Sequence, residues 1–253
     1  LVAQARVVLF VSDMHLGQGT GTEERTIEQT LLTCLRAYES RVTHLYLVGD
    51  VFDGYIEYPR LVPKGFVRFM ALLADWTDRG IGVTYLTGNH DPWHIDYFTT
   101  ELGVRVAFDY LMEHAENTLC YIRHGDGLKS KAWNPRALLK KPTLVWLYRT
   151  LLPADTGLAI AQKVSRSLHR RRYDPRVPDV MRSYAREVLE TTATRLVVMG
   201  HSHQAEPWDW GEGAYMNLGS WRGGGFFGTL DTARVQLLRW HGGAADLVKD
   251  VTL

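Results

Sequence analysis

Cysteine is nearly absent from these 253 residues: Cys34 and Cys120 are the only two, far too few for a disulfide scaffold. A reducing compartment and packed thiols are therefore expected. No apolar run reaches the ~18 residues of a membrane-spanning helix, and no charged segment followed by an apolar one opens the chain as a signal peptide would. A cytoplasmic location is expected. Net charge is scarce too, since 29 Lys and Arg against 28 Asp and Glu leave +1, which excludes a surface that is basic throughout but leaves room for a local patch. Low-complexity and collagen-like repeats are lacking. What is there, 45% hydrophobic and 23% charged residues, is ordinary globular material. The length suits one domain over 1–253 with room for an inserted segment.

Short β-branched runs end in polar or glycine-containing turns: Arg6 to Val11 before Ser12-Asp13, His44 to Val48 before Gly49-Asp50, Ile81 to Leu86 before Gly88-Asn89. Helical patterns, about Arg25 to Glu39 and Lys64 to Asp78, separate them. This alternation predicts an α/β fold with a largely parallel sheet whose functional groups collect at the C-terminal strand ends. Thr118 to Arg123 and Arg195 to Met199 read as further strands, each delivering His to its end. After Ala205, the runs Tyr215 to Leu218, Phe226 to Asp231 and Arg234 to Trp240 suggest a second, more antiparallel sheet. Between 128 and 172 the strand pattern gives way to leucine-rich helical groups broken at Pro135, Pro142 and Pro153, which reads as an inserted helical cap. A helix over about Asp179 to Thr191 follows.

The strand ends present Asp13 and His15, Asp50 and Asp53, Asn89, His90 and Asp91, His124, then His201 and His203. A mixed carboxylate, amide and imidazole set suits Mn, Fe or Zn better than Ca or a thiolate site. Asp13/His15 and His201/His203, spaced i and i+2, suit chelation. Taken singly, each piece has a plain explanation: His-x-His pairs arise by chance, and Gly49-Asp50 and Gly88-Asn89 fit strand-exit turns. Five such clusters, each directly after a strand-like run, are much harder to explain without a metal site. His44, His94, His114, His169 and His241 lie outside these clusters and suit surface or packing roles.

The segments Asp13-Met-His15, Gly49-Asp50-Val-Phe-Asp53, Gly88-Asn89-His90-Asp91, His124-Gly125-Asp126 and Gly200-His201-Ser-His203 together resemble the motif set of the calcineurin-like metallophosphoesterases. The resemblance implies a four-layer α/β/β/α sandwich and two divalent metal ions. One would be held by Asp13, His15, Asp50 and His203, the other by Asp50, Asn89, His124 and His201, with Asp50 shared. It further implies His90 beside the leaving oxygen, as general acid or charge stabiliser, with Asp91 orienting its ring, and Asp53 as a partner of the ligands rather than a ligand.

From Lys129 to Arg176, twelve Lys or Arg stand against two acids, Asp155 and Asp174. They alternate with Trp133, Trp146, Tyr148 and leucines, a combination suited to an anionic lipid surface or an acyl chain. A solvated basic helix pair or a nucleic-acid cradle would use the same charges. The run His124-Gly-Asp-Gly-Leu128, Asn134-Pro135, Leu144-Val-Trp-Leu-Tyr148, Leu152-Pro153, Gly157-Leu-Ala-Ile-Ala161 and Ser165-Arg166, with Asn217-Leu-Gly-Ser-Trp221, resembles the UDP-2,3-diacylglucosamine pyrophosphohydrolases of lipid A biosynthesis. That resemblance implies cleavage of an amphiphilic nucleotide-sugar lipid to UMP and 2,3-diacylglucosamine 1-phosphate. It also implies manganese, with Fe or Zn as alternatives, and a peripheral place on the inner face of the cytoplasmic membrane. Carried over by position, Ser165, His169 and Arg172 would meet the sugar or phosphates, together with Asn89, His90 and His201. His90 stands where many members of that group carry Arg.

Two other functions compete. A metallophosphoesterase acting on a nucleotide, phosphodiester or nucleic acid would bind its polyanion in a salt-sensitive way, with nucleic acid the weaker candidate given the net charge. A non-catalytic scaffold of the same fold would have no reason to keep all seven donors.

Overall fold

The computed structural model describes residues 5–128, 142–169, 174–232 and 234–253, the side chains at 142 and 166–169 excepted. Strands β1 (Val7–Val11), β2 (Val42–Val48), β3 (Gly82–Leu86) and β4 (Arg105–Ala107) run parallel. Helices α1 (Gly21–Ala37) and α2 (Val67–Asp78) connect the first three. Both faces of β1 are buried, which is why it reads as an unbroken apolar run. Val7, Leu9 and Val11 pack on Leu31, Leu35, Phe69 and Trp76 of the helices. Val8 and Phe10 face the opposite way and join Cys120, Ile122, Val198 and Met216.

Those last residues belong to a second sheet, formed by β5 (Tyr110–Ala115), β6 (Thr118–Arg123), β7 (Leu196–Met199), β8 (Ala205–Asp209) and β9 (Ala214–Leu218) in the order β5-β6-β7-β9-β8. Its outer face, with Tyr121, Val197, Met199 and Tyr215, is covered by Met181, Ala185 and Val188, from a helix over Val177–Thr191. Helix, sheet, sheet, helix is the four-layer order that the family resemblance implies. Between β6 and that last helix lie α3 (Pro142–Leu151) and α4 (Ala154–His169), which makes Val177–Thr191 α5 among the helices of eight or more residues. Among the described residues, no helix is long and apolar enough to cross a membrane.

The segment after Ala205 does not form a sheet of its own, as its texture suggested. Strands β10 (Phe226–Leu230), β11 (Arg234–His241) and β12 (Ala244–Thr252) extend the first sheet, β10 pairing antiparallel to β1 with Val8 opposite Leu230. Side-chain alternation reports that a strand is half-buried, not which edge it joins. Strand β12 escaped the sequence pattern because it is exposed along most of its length, and β4 because it is only three residues long. Helix α1 starts earlier than its apolar periodicity indicated, since Glu23 accepts the Thr20 backbone N–H and so caps a polar first turn.

Candidate metal centre

The parallel strands deliver their C-terminal loops to one edge, and the five predicted clusters meet there. Asp13, His15 and His203 bring donor atoms within 4.8 Å of one another, as do Asp50, His124 and His201. Asp50 stands between the groups, its Oδ2 3.9 Å from His15 Nε2 and 3.2 Å from His124 Nε2. Asp13 Oδ1 is 3.0 Å from His203 Nε2.

The backbone is bent to achieve this. Asp13, His15, Asp50, His201 and His203 all adopt left-handed φ, between 44° and 63°, which costs residues with a Cβ roughly 1 kcal/mol or more each. Neighbouring glycines admit the close approach: a methyl group at Gly88 would overlap the Asp50 carboxylate, and one at Gly200 the Asp13 carboxylate.

Electrostatics show what the cluster requires. His124 Nδ1 donates to the Val48 carbonyl at 2.9 Å, so in the neutral ring Nε2 offers a lone pair to Asp50. Two acceptors 3.2 Å apart need a cation or a proton between them. Burial alone would lower the His124 pKa; the Asp50 carboxylate overrides it and raises the value to about 10. His201 moves oppositely, to about 4, through burial and the nearby His124 charge. Burial would raise Asp13 and Asp50, but the surrounding histidines hold both carboxyls well below the usual range. Asn89 Oδ1 is buried with no hydrogen-bond partner among the described residues. An excess of inward-facing acceptors in a dry site fits divalent cations.

Asp91 has a different place from the one expected. It does not orient the His90 ring; its buried carboxylate accepts the backbone N–H groups of Asp50, Val51, Phe52 and Gly88 and the Tyr85 hydroxyl. It thus clamps the loop that carries Asp50. The sequence placed it beside His90 by adjacency, but successive side chains diverge. His90 Nδ1 instead meets Ser165 Oγ at 2.5 Å. The His169 side chain, Arg172 and most of the basic run lie outside the described residues.

Further supports were not singled out by sequence. Arg222 donates to the His15 carbonyl at 3.1 Å and to Glu24 at 2.7 Å. Ser220 Oγ donates to the Asp13 carbonyl, and Asn217 Nδ2 to the Gly200 carbonyl. The only signal was the Asn217–Trp221 run itself. His94 is a packing residue, as expected: it lies among Tyr55, Tyr85 and Phe98, and burial depresses its pKa to about 3.

Beside the cluster, a cavity of about 220 Å³ is bordered by Asn89, His90, Trp93, Tyr148, Ile160 and Ser165. A second, of about 410 Å³, is lined by Trp93, Leu144, Leu147, Tyr148, Leu151 and Leu152 and is almost wholly apolar. Trp93 and Tyr148 border both, their rings 5.0 Å apart. Arg149 donates to the Trp93 carbonyl at 2.9 Å and ties α3 to the loop after β3.

The family model described as calcineurin-like phosphoesterase matches residues 6–205. A UDP-2,3-diacylglucosamine hydrolase of Porphyromonas gingivalis is 30% identical over 205 residues, covering 78% of this chain and 77% of that protein. Proteins of the same name are 26% identical over 205 residues in Vibrio parahaemolyticus, covering 78% of this chain and 81% of the relative, and 22% identical over 222 residues in Haemophilus influenzae, covering 84% and 90%.

Proposed function

This chain belongs to the calcineurin-like phosphoesterase family and is a metal-dependent phosphoester hydrolase, and from that premise we propose that it cleaves the diphosphate of UDP-2,3-diacylglucosamine to UMP and the diacylated sugar 1-phosphate. One metal is assigned to Asp13, His15, Asp50 and His203, and the other to Asp50, Asn89, His124 and His201, with Mn2+ the preferred ion. When bound, a pair of such cations acidifies water and neutralises charge on phosphoryl oxygens.

The chain's own residues arrange the rest. His124 is fixed as an Nε2 donor by its bond to the Val48 carbonyl. Asp91 holds the Asp50 loop by its backbone N–H groups, so the shared carboxylate cannot drift. His90 borders the cavity next to Asn89 and serves the leaving oxygen, by donating a proton or by its charge. Ser165, His169 and Arg172 are assigned to the substrate side.

The observation that supports the lipid over a soluble nucleotide is the apolar cavity on α3, which shares Trp93 and Tyr148 as lining with the His90 cavity. It suits acyl chains while the diphosphate lies at the strand ends. The helices over 142–169, with the basic residues of 128–172, then act as a cap at the inner membrane surface.

Purified protein with Mn2+ should release UMP from UDP-2,3-diacylglucosamine faster than from the deacylated compound and should leave single-stranded DNA intact. Chelation, Asp50→Asn and His203→Ala should each abolish turnover without unfolding the chain. Equal rates on acylated and deacylated substrate, with no vesicle binding at low salt, would refute the lipid assignment in favour of a soluble nucleotide. Full activity after chelation would refute the metal assignment.

A further inference from the structure

The loop that brings Asp13 and His15 to the strand ends passes through the left-handed region three times, at Asp13, His15 and Gly17, with φ of 52°, 44° and 98°. Such a path needs partners outside itself. Its N–H side is held by the β2 loop, Asp13, His15 and Leu16 donating to the Gly49, Asp50 and Val51 carbonyls. Its carbonyl side is gripped from the other end of the chain. The Trp221 N–H donates to the Ser12 carbonyl at 3.2 Å, Ser220 Oγ to the Asp13 carbonyl at 3.0 Å, and the Arg222 guanidinium to the His15 carbonyl at 3.1 Å.

Glu24, in the first turn of α1, closes this arrangement. One carboxylate oxygen accepts the Gly17 N–H at 2.6 Å, while the other accepts the Gly19 N–H at 2.5 Å and Arg222 Nη2 at 2.7 Å. Glu24 is 8% exposed, which shields these contacts from water. Gly19 keeps room for the pair: its own φ lies outside the left-handed region, yet a methyl group there would overlap the Arg222 guanidinium and the Glu23 carboxylate. Charge balance matters as much as the bonds. A guanidinium on the His15 carbonyl, left uncompensated, would repel any cation beside that histidine, and burial weakens the screening of such repulsion.

We propose that the Glu24–Arg222 pair is a positioning device for one metal ion, the one assigned to Asp13, His15, Asp50 and His203. Arg222 fixes the His15 loop by its carbonyl, and Glu24 both fixes the next turn by its N–H groups and cancels the charge that Arg222 brings. This deepens the metal assignment and rests on it, but it is independent of the lipid substrate. The second ion, assigned to Asp50, Asn89, His124 and His201, has no contact with the pair and is bound without its help.

The test titrates metal-free protein with Mn2+ by calorimetry and counts the ions retained by mass spectrometry. The binding step that disappears in His203→Ala identifies the ion in question. Glu24→Gln keeps the shape but neither the charge nor the second acceptor, and should weaken that step at least ~10-fold while the other step stays at its wild-type value. Arg222→Met should weaken it less, because a remaining Glu24 carboxylate attracts the ion. Arg222→Lys should not restore it, since one ammonium cannot span two acceptors as the guanidinium fork does. The double variant Glu24→Gln with Arg222→Met should bind the ion more tightly than Glu24→Gln alone, because the uncompensated cation is gone. A purely structural contact would not give that reversal.

Wild-type affinities in both single variants would overturn the proposal. So would equal weakening of both steps together with a lower urea midpoint of the metal-free protein, or a double variant weaker than either single one. If Glu24→Gln does not fold, Arg222→Met and Arg222→Lys decide the matter by whether one step or neither is weakened. Wild type that binds no Mn2+ would sink the metal assignment and this proposal with it. Wild type that binds two ions without cleaving the diphosphate would sink only the lipid reading, and the same titrations would still decide the role of the pair.

Discussion

Replacing Asp91 should cost more stability than replacing a proposed metal ligand, because its carboxylate closes the loop that carries the candidate site. It is fully buried and serves four backbone N–H groups and the Tyr85 hydroxyl. Asp91→Ala leaves those donors in a dry interior. At about 1 kcal/mol for each unsatisfied donor, the low end of the usual range, the loss is about 5 kcal/mol. Water entering the vacated space would reduce it to about 3 kcal/mol. Against a typical total of about 5–15 kcal/mol, this should lower the urea midpoint sharply at unchanged slope, followed by tryptophan fluorescence on metal-free protein.

Asp91→Asn keeps the shape and one acceptor but turns an amide donor toward N–H groups. It should lose about 2 kcal/mol and bind Mn2+ about 10-fold more weakly, because the Asp50 loop is no longer pinned. An Asp91→Ala variant with the wild-type urea midpoint and wild-type Mn2+ affinity would show that the loop is held by other contacts and that the clamp argument is wrong.

His90→Ala should lower kcat by about 10²-fold or more on a poor leaving group while metal content, measured by mass spectrometry, stays near wild type; loss of one metal equivalent would make His90 a ligand. The metal-free protein should be most stable near pH 6.5. Above that pH it loses the stabilisation from His124, raised to about 10, and from His15, also raised. Below it, the depressed His44, His94 and His201, at about 4, 3 and 4, favour unfolding as they are forced to take protons. On the proposed assignment of His124 as a ligand, added Mn2+ should displace its proton and stabilise more as pH rises toward 9, releasing protons detectable by calorimetry; a proton-independent affinity would refute this. Shortening both acyl chains by four carbons should weaken binding by several kcal/mol, at about 0.8 kcal/mol for each buried methylene, and Leu147→Ser with Leu151→Ser should reduce that sensitivity.

The clustering of the candidate metal donors was legible in the sequence because the chemistry and the architecture leave the same trace. A parallel strand buried on both faces must be an apolar run, and its loop must follow at once, so Asp13, Asp50, Asn89, His124 and His201 stand directly behind such runs. The choice of Asp, Asn and His reports hard and borderline cations wherever the chain puts them. Three matters were decided by the tertiary structure alone. Strands β10 to β12 joined the first sheet, since pairing depends on which edge is open and not on a strand's own alternation. Asp91 bonds backbone N–H groups of the β2 loop, partners about 40 residues away in sequence that no local pattern identifies. Ser165 reaches His90 and Asp53 across separations of 75 and 112 residues, because hydrogen bonding is fixed by distances of a few ångströms in space, to which spacing along the chain is blind.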